Sequence, residues 1–259
     1  MMGPAMHESL RFFASTDVGQ VRDHNEDNFL VDKKLSLFIV ADGMGGHAAG
    51  EVASAIAVRT VHEEVRREAD LITDYLAGAK GAAKVTTRDL ITLIEHAVQR
   101  ACAKVNEEAR LDAAKRGMGT TLSALLVAGH QGFIAHVGDS RVYRLRDGVL
   151  AQLTCDHSLA EEMRAAGGHV GDDFPYRNVI TRAIGMREGA RVDVVVSSLE
   201  AGDVFLLCTD GLTEGLDDDE LAALLTAPPA TAAPALVRAA YDAGGRDNIT
   251  AVVVRVRAV

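Results

Sequence analysis

Four short acidic motifs lie far apart in this chain, and each adjoins a run of apolar residues. They are Asn25-Glu26-Asp27, Asp42-Gly43, Thr209-Asp210-Gly211 and Arg246-Asp247-Asn248. If folding brings them together, their carboxylates repel one another, and the usual relief is a raised pKa or a bound cation. All the candidate ligands are oxygen donors, which hard divalent cations prefer. The sequence therefore predicts a site for Mn²⁺ or Mg²⁺ rather than Zn²⁺.

The positions of the acids relative to the apolar runs support this prediction. Asp42 and Asp210 each follow a strand-like run, whereas Glu26 and Asp247 each precede one. Carboxylates at strand ends converge on one edge of a pair of packed sheets. A single Asp-Gly pair is also ordinary turn chemistry, and we interpret Asp147-Gly148 as only a turn. Four acids that each adjoin a strand are not explained together in that way.

The periodicity of apolar residues predicts helices and strands in blocks rather than in alternation. A period near 3.6 indicates two long helices, at about 51–71 and 87–114, with Thr86 or Thr87 as the N-cap of the second. Strands are expected at 35–41, 192–197, 204–209 and 249–256, and at 121–128, 132–137, 141–145 and 149–153, where short Gly- and Asp-containing spacers indicate a meander. This arrangement disfavours a parallel sheet and favours an α+β fold of two packed sheets flanked by helices.

Length and composition favour one large domain. The 259 residues are 48% hydrophobic, which suffices for a sizeable core. We expect a tail at residues 1–9 and a flap at about 156–185, where one short helical stretch is followed by little periodicity.

Charge and cysteine content exclude several classes of protein. A net charge of −10 disfavours a nucleic-acid partner, because phosphate backbones are held by Lys and Arg. The three cysteines have neither the spacing of a zinc site nor an even number for a disulfide framework. No apolar run reaches the roughly 18 residues of a membrane span. We therefore expect a cytoplasmic, soluble monomer.

The acidic motifs, with several others in between, resemble those of metal-dependent serine/threonine protein phosphatases of the PPM (PP2C) family in their bacterial form. The matching stretches occur in the family's order and cover most of the chain from Asp17 to Val256. They are Val21-Arg22-Asp23-His24-Asn25-Glu26-Asp27, Val40-Ala41-Asp42-Gly43-Met44-Gly45-Gly46-His47, Gly117-Met118-Gly119-Thr120-Thr121, Val137-Gly138-Asp139-Ser140-Arg141, Asn178-Val179-Ile180-Thr181-Arg182-Ala183, Thr209-Asp210-Gly211-Leu212-Thr213 and Arg246-Asp247-Asn248-Ile249-Thr250.

The resemblance implies a four-layer α-β-β-α sandwich, PP2C-like, with two Mn²⁺ or Mg²⁺ ions at one edge and a bridging water as the nucleophile. Carried over by position, Asp42 bridges the two metals, Asp210 and Asp247 complete the first, and the carbonyl of Gly43 binds the second. The resemblance further implies that Glu26 acts on the second metal through water. Bacterial members often hold a third, weaker metal through an acid that Asp139 matches. Asp27 is expected to have no direct role.

Two further residues are candidates for handling the substrate. Arg22 matches the phosphate-binding arginine of the family, and a guanidinium grips two phosphate oxygens at once. His47 is a candidate general acid for the departing alkoxide. Relatives outside bacteria place His directly after Asp-Gly, where this chain has Met44, so a metal-bound water is the alternative donor. Ser140 and Thr209 have no pattern of a catalytic triad around them, and we expect them only to donate or accept hydrogen bonds.

The expected function is hydrolysis of phosphoserine and phosphothreonine in proteins, opposing a bacterial Ser/Thr kinase. One alternative is a regulatory phosphatase dedicated to a single partner. A second is a catalytically inactive sensor of phosphoproteins with the same fold, which the intact set of acids disfavours. A third, a two-metal nuclease or small-molecule phosphoesterase, is disfavoured by the negative charge. The phosphorylated proteins, including the kinase and its substrates, are the expected partners.

Overall fold

Two antiparallel sheets form the centre of the computed structural model, which describes residues 9–45, 49–78, 84–171, 174–176 and 178–257. The first sheet has the spatial order β1 (Leu10–Asp17), β11 (Ile249–Val256), β10 (Val204–Cys208), β7 (Arg141–Arg146) and β8 (Val149–Gln152). The second has the order β2 (Asp27–Asp32), β3 (Leu37–Met44), β5 (Leu122–Ala128), β6 (Gln131–Val137) and β9 (Asp193–Ser198), with the short β4 (Gly119–Thr120) paired to β3.

Helices cover the outer face of each sheet. The second sheet is covered by α1 (Ala49–Arg67), α2 (Ala69–Ala77) and α3 (Thr87–Leu111), and the first by α6 (Asp218–Leu225) and α7 (Pro229–Asp242). Two short α-helices, α4 (Leu159–Ala165) and α5 (Asp210–Thr213), also occur in the described part of the chain. None of the helices in the described residues is long and apolar enough to cross a membrane.

The alternation of side chains along β3 shows how the layers are joined. Leu37 and Ile39 point into the core shared with α1 and α3, whereas Phe38 and Val40 point into the core between the sheets. The inter-sheet core receives Phe205 and other apolar residues of the first sheet. These cores give the four layers in the order α-β-β-α, so the predicted fold class is confirmed.

The helical prediction for residues 51–71 was wrong in its extent. The first helix ends at Arg67, and a separate helix runs from Ala69 to Ala77. The charged residues 66–68 offer no apolar side chain to the core at this point, and the break returns Ile72 to a buried position. The second long helix begins as predicted, with the amide of Thr86 donating to Oδ2 of Asp89 at 2.7 Å.

The prediction of a four-stranded meander was also wrong. β5 pairs with β6 in the second sheet, and β7 pairs with β8 in the first. The chain passes between the sheets at Gly138-Asp139-Ser140, where Gly138 has a φ of 113° and a Cβ would lie 2.6 Å from the side chain of Thr121. A period of two identifies strands but not their partners. This crossing brings Asp139 to the edge at which the other acids lie.

The segment predicted as a flap leaves the sheets after β8 and returns before β9. Ser158 caps α4 through a hydrogen bond from the amide of Glu161, as the short helical stretch predicted. The two ends of the segment pair with each other, because the amide of Leu159 donates to the carbonyl of Val179 at 2.8 Å. The single-domain boundaries stay a prediction, and residues 1–8 of the expected tail lie outside the described residues.

Candidate metal centre

The ends of four strands bring the predicted acids to one edge of the sandwich. Asp42 lies near the end of β3 and pairs in register with Asp27 at the start of β2. Asp210 lies two positions after the end of β10, and Asp247 lies two positions before β11, the neighbour of β10. Because β3 packs against both β10 and β11 across the sandwich, the acids from the two sheets meet.

Asp42 and Asp210 form the centre of this cluster. They come from opposite sheets, and each carboxyl group affects the pKa of the other. Burial raises the pKa of Asp42 well above its usual value, and the charges of Asp27, Asp210 and Asp139 raise it further. Burial likewise raises the pKa of Asp210. A bound cation would relieve the repulsion among these acids.

Several buried carboxylate oxygens of the cluster fit a cation site. Oδ1 of Asp27, Oδ1 of Asp139 and Oδ1 of Asp210 have no hydrogen-bond partner in the described structure. Buried polar atoms are normally paired, so unpaired acceptors on three neighbouring acids fit hard cations. Among the described residues, no group of three or more His, Cys, Asp or Glu side chains has the arrangement of a metal site. Asp247 is paired with Arg22, and that ion pair must open if Asp247 is to bind a cation.

The first turn of α1 holds Glu26 beside Gly43. The amide of Gly43 donates to the carbonyl of Glu26 at 3.1 Å, and a Cβ on Gly43 would lie 2.2 Å from the carbonyl oxygen of Gly50. Burial raises the pKa of the Glu26 carboxyl group, and the neighbouring backbone amide of Gly50 partly offsets that rise. A Cβ on Gly50 would meet that carboxylate at 2.7 Å. Sequence analysis missed Gly50, whose signal is a glycine in the first turn of a helix.

Arg22 lies at the exposed mouth of the site, paired with Asp247. The distance from Nη2 to Oδ2 is 2.6 Å, and the side chains are 51% and 27% exposed. The hydrogen bond from Arg22 to Asp247 raises the pKa of the guanidinium. The predicted phosphate ligand and a predicted metal ligand are therefore in direct contact.

Asp27 is a member of the cluster, although sequence analysis gave it no direct role. Its Oδ2 accepts hydrogen bonds from Oγ1 of Thr209 at 2.8 Å and from Oγ1 of Thr250 at 2.6 Å. Burial raises the pKa of Asp27 to about 7. The motif alone does not show that Asp27 points inward, because that depends on its register opposite Asp42.

Hydroxyl groups fix the backbone around Asp42 and Asp139. Oγ1 of Thr121 accepts from the amide of Asp42 at 2.9 Å and lies 2.7 Å from Oγ of Ser140. Thr121 thereby joins the end of β3 to the crossing that carries Asp139. Ser140 and Thr209 are hydrogen-bonding residues, as expected. Of the other predicted site residues, His47 lies outside the described residues.

A cavity of about 500 Å³ opens beside the cluster. Its walls include Asp139 and Asp210, with the flap contributing Arg164 and Asn178 and the loop before β11 contributing Arg246. Burial raises the pKa of Asp139 in this wall to about 7. The cavity is large enough for side chains of a peptide beside the acids.

Comparisons with known proteins place this geometry in context. The family model described as Protein phosphatase 2C matches residues 19–236. The serine/threonine phosphatase stp of Listeria innocua is 37% identical over 257 residues, covering 96% of this chain and 95% of the relative. A crystal structure of the Mycobacterium tuberculosis serine/threonine phosphatase PstP/Ppp superposes with a TM-score of 0.83 at 33% identity, covering 96% of this chain and 99% of that chain.

One of the similar structures contains metal. It is the catalytic domain of the serine threonine protein phosphatase PstP in complex with 2 manganese ions, with a TM-score of 0.81 and 33% identity, covering 96% of this chain and 99% of that one. The acids of the present chain are thus found in a fold that is known to hold manganese.

Proposed function

This chain belongs to the protein phosphatase 2C family and is a metal-dependent serine/threonine protein phosphatase, and on that premise we propose that the carboxylates around Asp42 form its catalytic metal centre. The observation that carries the assignment is the meeting of acids from opposite sheets at one edge, where Oδ1 of Asp27, Asp139 and Asp210 is buried without a hydrogen-bond partner. Buried carboxylates that lie close together repel one another, and a bound cation would offset that repulsion.

The residues that would hold the cations are those of the cluster. Mn²⁺ is the expected metal, and we extend the assignment to Mg²⁺ because all the donors are oxygens. Asp42 would be a ligand of both ions, Asp210 and Asp247 would complete the first, and the Gly43 carbonyl would bind the second, on which Glu26 would act through water. Asp139 would hold a third ion. When bound, the two cations would lower the pKa of a water molecule and so supply a nucleophile near neutral pH.

Arg22 is proposed to hold the phosphate of the substrate. Its guanidinium lies at the mouth, half exposed, and reaches into the cluster as far as Asp247. A planar guanidinium can donate two parallel hydrogen bonds to phosphate oxygens, which orients the phosphorus as well as attracting it. The function of Arg22 is therefore to bind and orient the substrate in its ground state.

The proton donor to the departing serine or threonine oxygen is proposed to be His47. In the sequence it lies five positions after Asp42, in the same motif as that candidate ligand. An imidazole near its ordinary pKa can deliver a proton at neutral pH.

The substrates are phosphorylated proteins. We propose that they include a bacterial Ser/Thr kinase and its targets, and that the enzyme acts as a monomer in the cytoplasm. The free thiols of Cys102, Cys155 and Cys208 support a reducing compartment.

Purified protein tests the proposed function directly. With Mn²⁺ it should hydrolyse p-nitrophenyl phosphate and phosphothreonine peptides, and a chelator should abolish both activities. For variants that remove an acid of the cluster, Asp147→Asn is the matched control. Asp147 is an exposed turn residue with a φ of 51° between β7 and β8. Failure on both substrates would overturn the proposal. Hydrolysis of p-nitrophenyl phosphate but of almost none of a broad panel of phosphopeptides would identify an enzyme dedicated to one partner.

A further inference from the structure

Asn248 directly follows the candidate metal ligand Asp247, and its side chain reaches a segment more than 200 positions away. Its Oδ1 accepts from the amide of Glu26 at 2.7 Å. Its Nδ2 donates to the carbonyl of Val18 and to the carbonyl of His24, each at 2.9 Å. The side chain is buried, with the residue only 5% exposed.

These three bonds use both N–H donors of the carboxamide and one of the two lone pairs of its oxygen. An Asn offers two N–H donors and one acceptor oxygen on a short stem. The backbone partners also fix its orientation, because the amide of Glu26 must face the oxygen and the two carbonyls must face the nitrogen. An Asp of the same shape would place an oxygen against two carbonyl oxygens. The site is therefore specific for Asn.

The main chain of Asn248 touches other parts of the metal centre. Its amide donates to Oδ1 of Asp247 at 2.8 Å, which orients that carboxylate. Its carbonyl oxygen would lie 2.2 Å from a Cβ on Gly211, so the backbone that follows Asp210 packs directly on it. Three of the acidic motifs thus meet at this single residue.

The segment that the amide holds carries both Arg22 and Glu26. Between its fixed points at Val18, His24 and Glu26, Arg22 reaches Asp247 at 2.6 Å. The segment has no regular secondary structure before β2, so individual hydrogen bonds to other parts of the chain set its position. Additional contacts come from Gln20, whose amide donates to the carbonyl of Gly245 at 2.7 Å.

We propose that Asn248 is the positioning residue that sets the register of the Arg22–Glu26 segment against Asp247, and so aligns phosphate binding with the metal centre. The inference rests on the proposed function. Asn248 itself does not touch the substrate or the reacting atoms. It acts through the guanidinium of Arg22 and the carboxylate of Glu26.

Steady-state kinetics of two variants test this inference at saturating Mn²⁺ with a phosphothreonine peptide. Asn248→Ala removes the amide, and Asn248→Asp keeps its shape but loses both donors. Each should raise KM at least about tenfold, because Arg22 loses its position. Asn248→Ala should also raise the Mn²⁺ concentration for half-maximal activity, because Glu26 shifts. A normal KM and metal dependence in both variants would overturn the inference, provided that the wild type is active.

A matched control separates positioning from general loss of structure. Gln99 on α3 makes a similar amide clamp, donating to the carbonyl of Ala190 and accepting from its amide, but it touches none of the acidic motifs. Gln99→Ala should keep the wild-type KM even if its melting temperature falls as much as that of Asn248→Ala. An equal rise of KM in Gln99→Ala would contradict the assignment.

A double-mutant cycle gives the decisive readout. If Asn248 acts on phosphate through Arg22, the variant carrying both Arg22→Ala and Asn248→Ala should have a KM within about twofold of Arg22→Ala alone. If the KM of the double variant is raised by the product of the two single-variant factors, Asn248 acts independently of Arg22 and the inference is overturned. An inactive wild type would instead refute the proposed function, so the two failures are distinguishable.

Discussion

Nη2 of Arg22 lies 2.6 Å from Oδ2 of Asp247, so the candidate phosphate ligand and a candidate metal ligand neutralise each other. A cation that takes the carboxylate of Asp247 weakens its attraction for the guanidinium. Arg22 is then free to turn its N–H groups toward a phosphate. The ion pair therefore predicts that phosphate binds well only after the metal.

Replacing Arg22 tests its function in ground-state binding. Arg22→Ala should raise KM for a phosphopeptide about 10- to 100-fold with kcat little changed, since a charge-assisted hydrogen bond is lost. Arg22→Lys should recover only part of the loss, because an ammonium lacks the planar pair of donors. A normal KM with a low kcat would contradict the assignment.

The metal-free protein should become less stable as the pH rises. Burial raises the pKa from 3.8 to about 7 for Asp27 and Asp139 and to about 6 for Asp210. A group whose pKa is raised by folding favours the folded state below its unfolded pKa, and this contribution is lost as the pH passes the folded value. Thermal unfolding in a chelator should therefore give a falling melting temperature between about pH 4 and pH 7 from these groups.

Manganese should reverse that loss. A cation stabilises the ionised acids, so the gain in melting temperature should be larger at about pH 8 than at about pH 5. At a free Mn²⁺ concentration 100 times the dissociation constant, we expect a gain of about 5–10 °C for a chain of this size. An equal gain at both pH values would show that the ions bind outside the acidic cluster.

Asp42 should be essential for activity and costly for the metal-free fold. Asp42→Ala and Asp210→Ala should both abolish activity by removing metal ligands. Asp42→Asn should reduce kcat/KM by at least about a thousandfold. The same change should raise the melting temperature of the metal-free protein by roughly 2–4 °C per kcal/mol of repulsion relieved. Calorimetry should show fewer bound ions, and an unchanged stoichiometry in Asp42→Ala would refute the bridging assignment.

Asp139 should affect turnover without affecting the first two ions. Asp139→Ala is expected to lower kcat about 10- to 100-fold while calorimetry still counts two metals. The reason is that Asp139 enters the site from the crossing between β6 and β7, not from the strand ends that carry Asp42 and Asp247. Loss of both ions in this variant would place Asp139 in the main centre.

The contribution of His47 to the rate should be larger for a leaving group that must be protonated as it departs. His47→Ala should slow hydrolysis of a phosphothreonine peptide about 10²- to 10⁴-fold and change hydrolysis of p-nitrophenyl phosphate far less, since the nitrophenolate departs without a proton. His130→Ala, at an exposed turn between β5 and β6, is the control. Equal effects on both substrates would exclude His47 as the general acid.

The local pattern of the sequence accounts for most of the elements. β11 has the predicted bounds, because a short run rich in valine that follows a polar motif is typical of a buried strand. The ends of helices were harder to predict, as the break between α1 and α2 shows. The charged residues 66–68 have no apolar periodicity, so tertiary packing decides where the helix ends.

The sequence by itself determined which acids end or begin strands, and hence that Glu26, Asp42, Asp210 and Asp247 would lie at one edge. Only the tertiary structure decided that β6 and β7 lie in different sheets, that Asp27 points into the cluster and that Asn248 holds the Arg22–Glu26 segment. Residue period specifies the two faces of a strand, but partners more than 200 positions apart are selected by packing and by complementary hydrogen bonds, which no local pattern records.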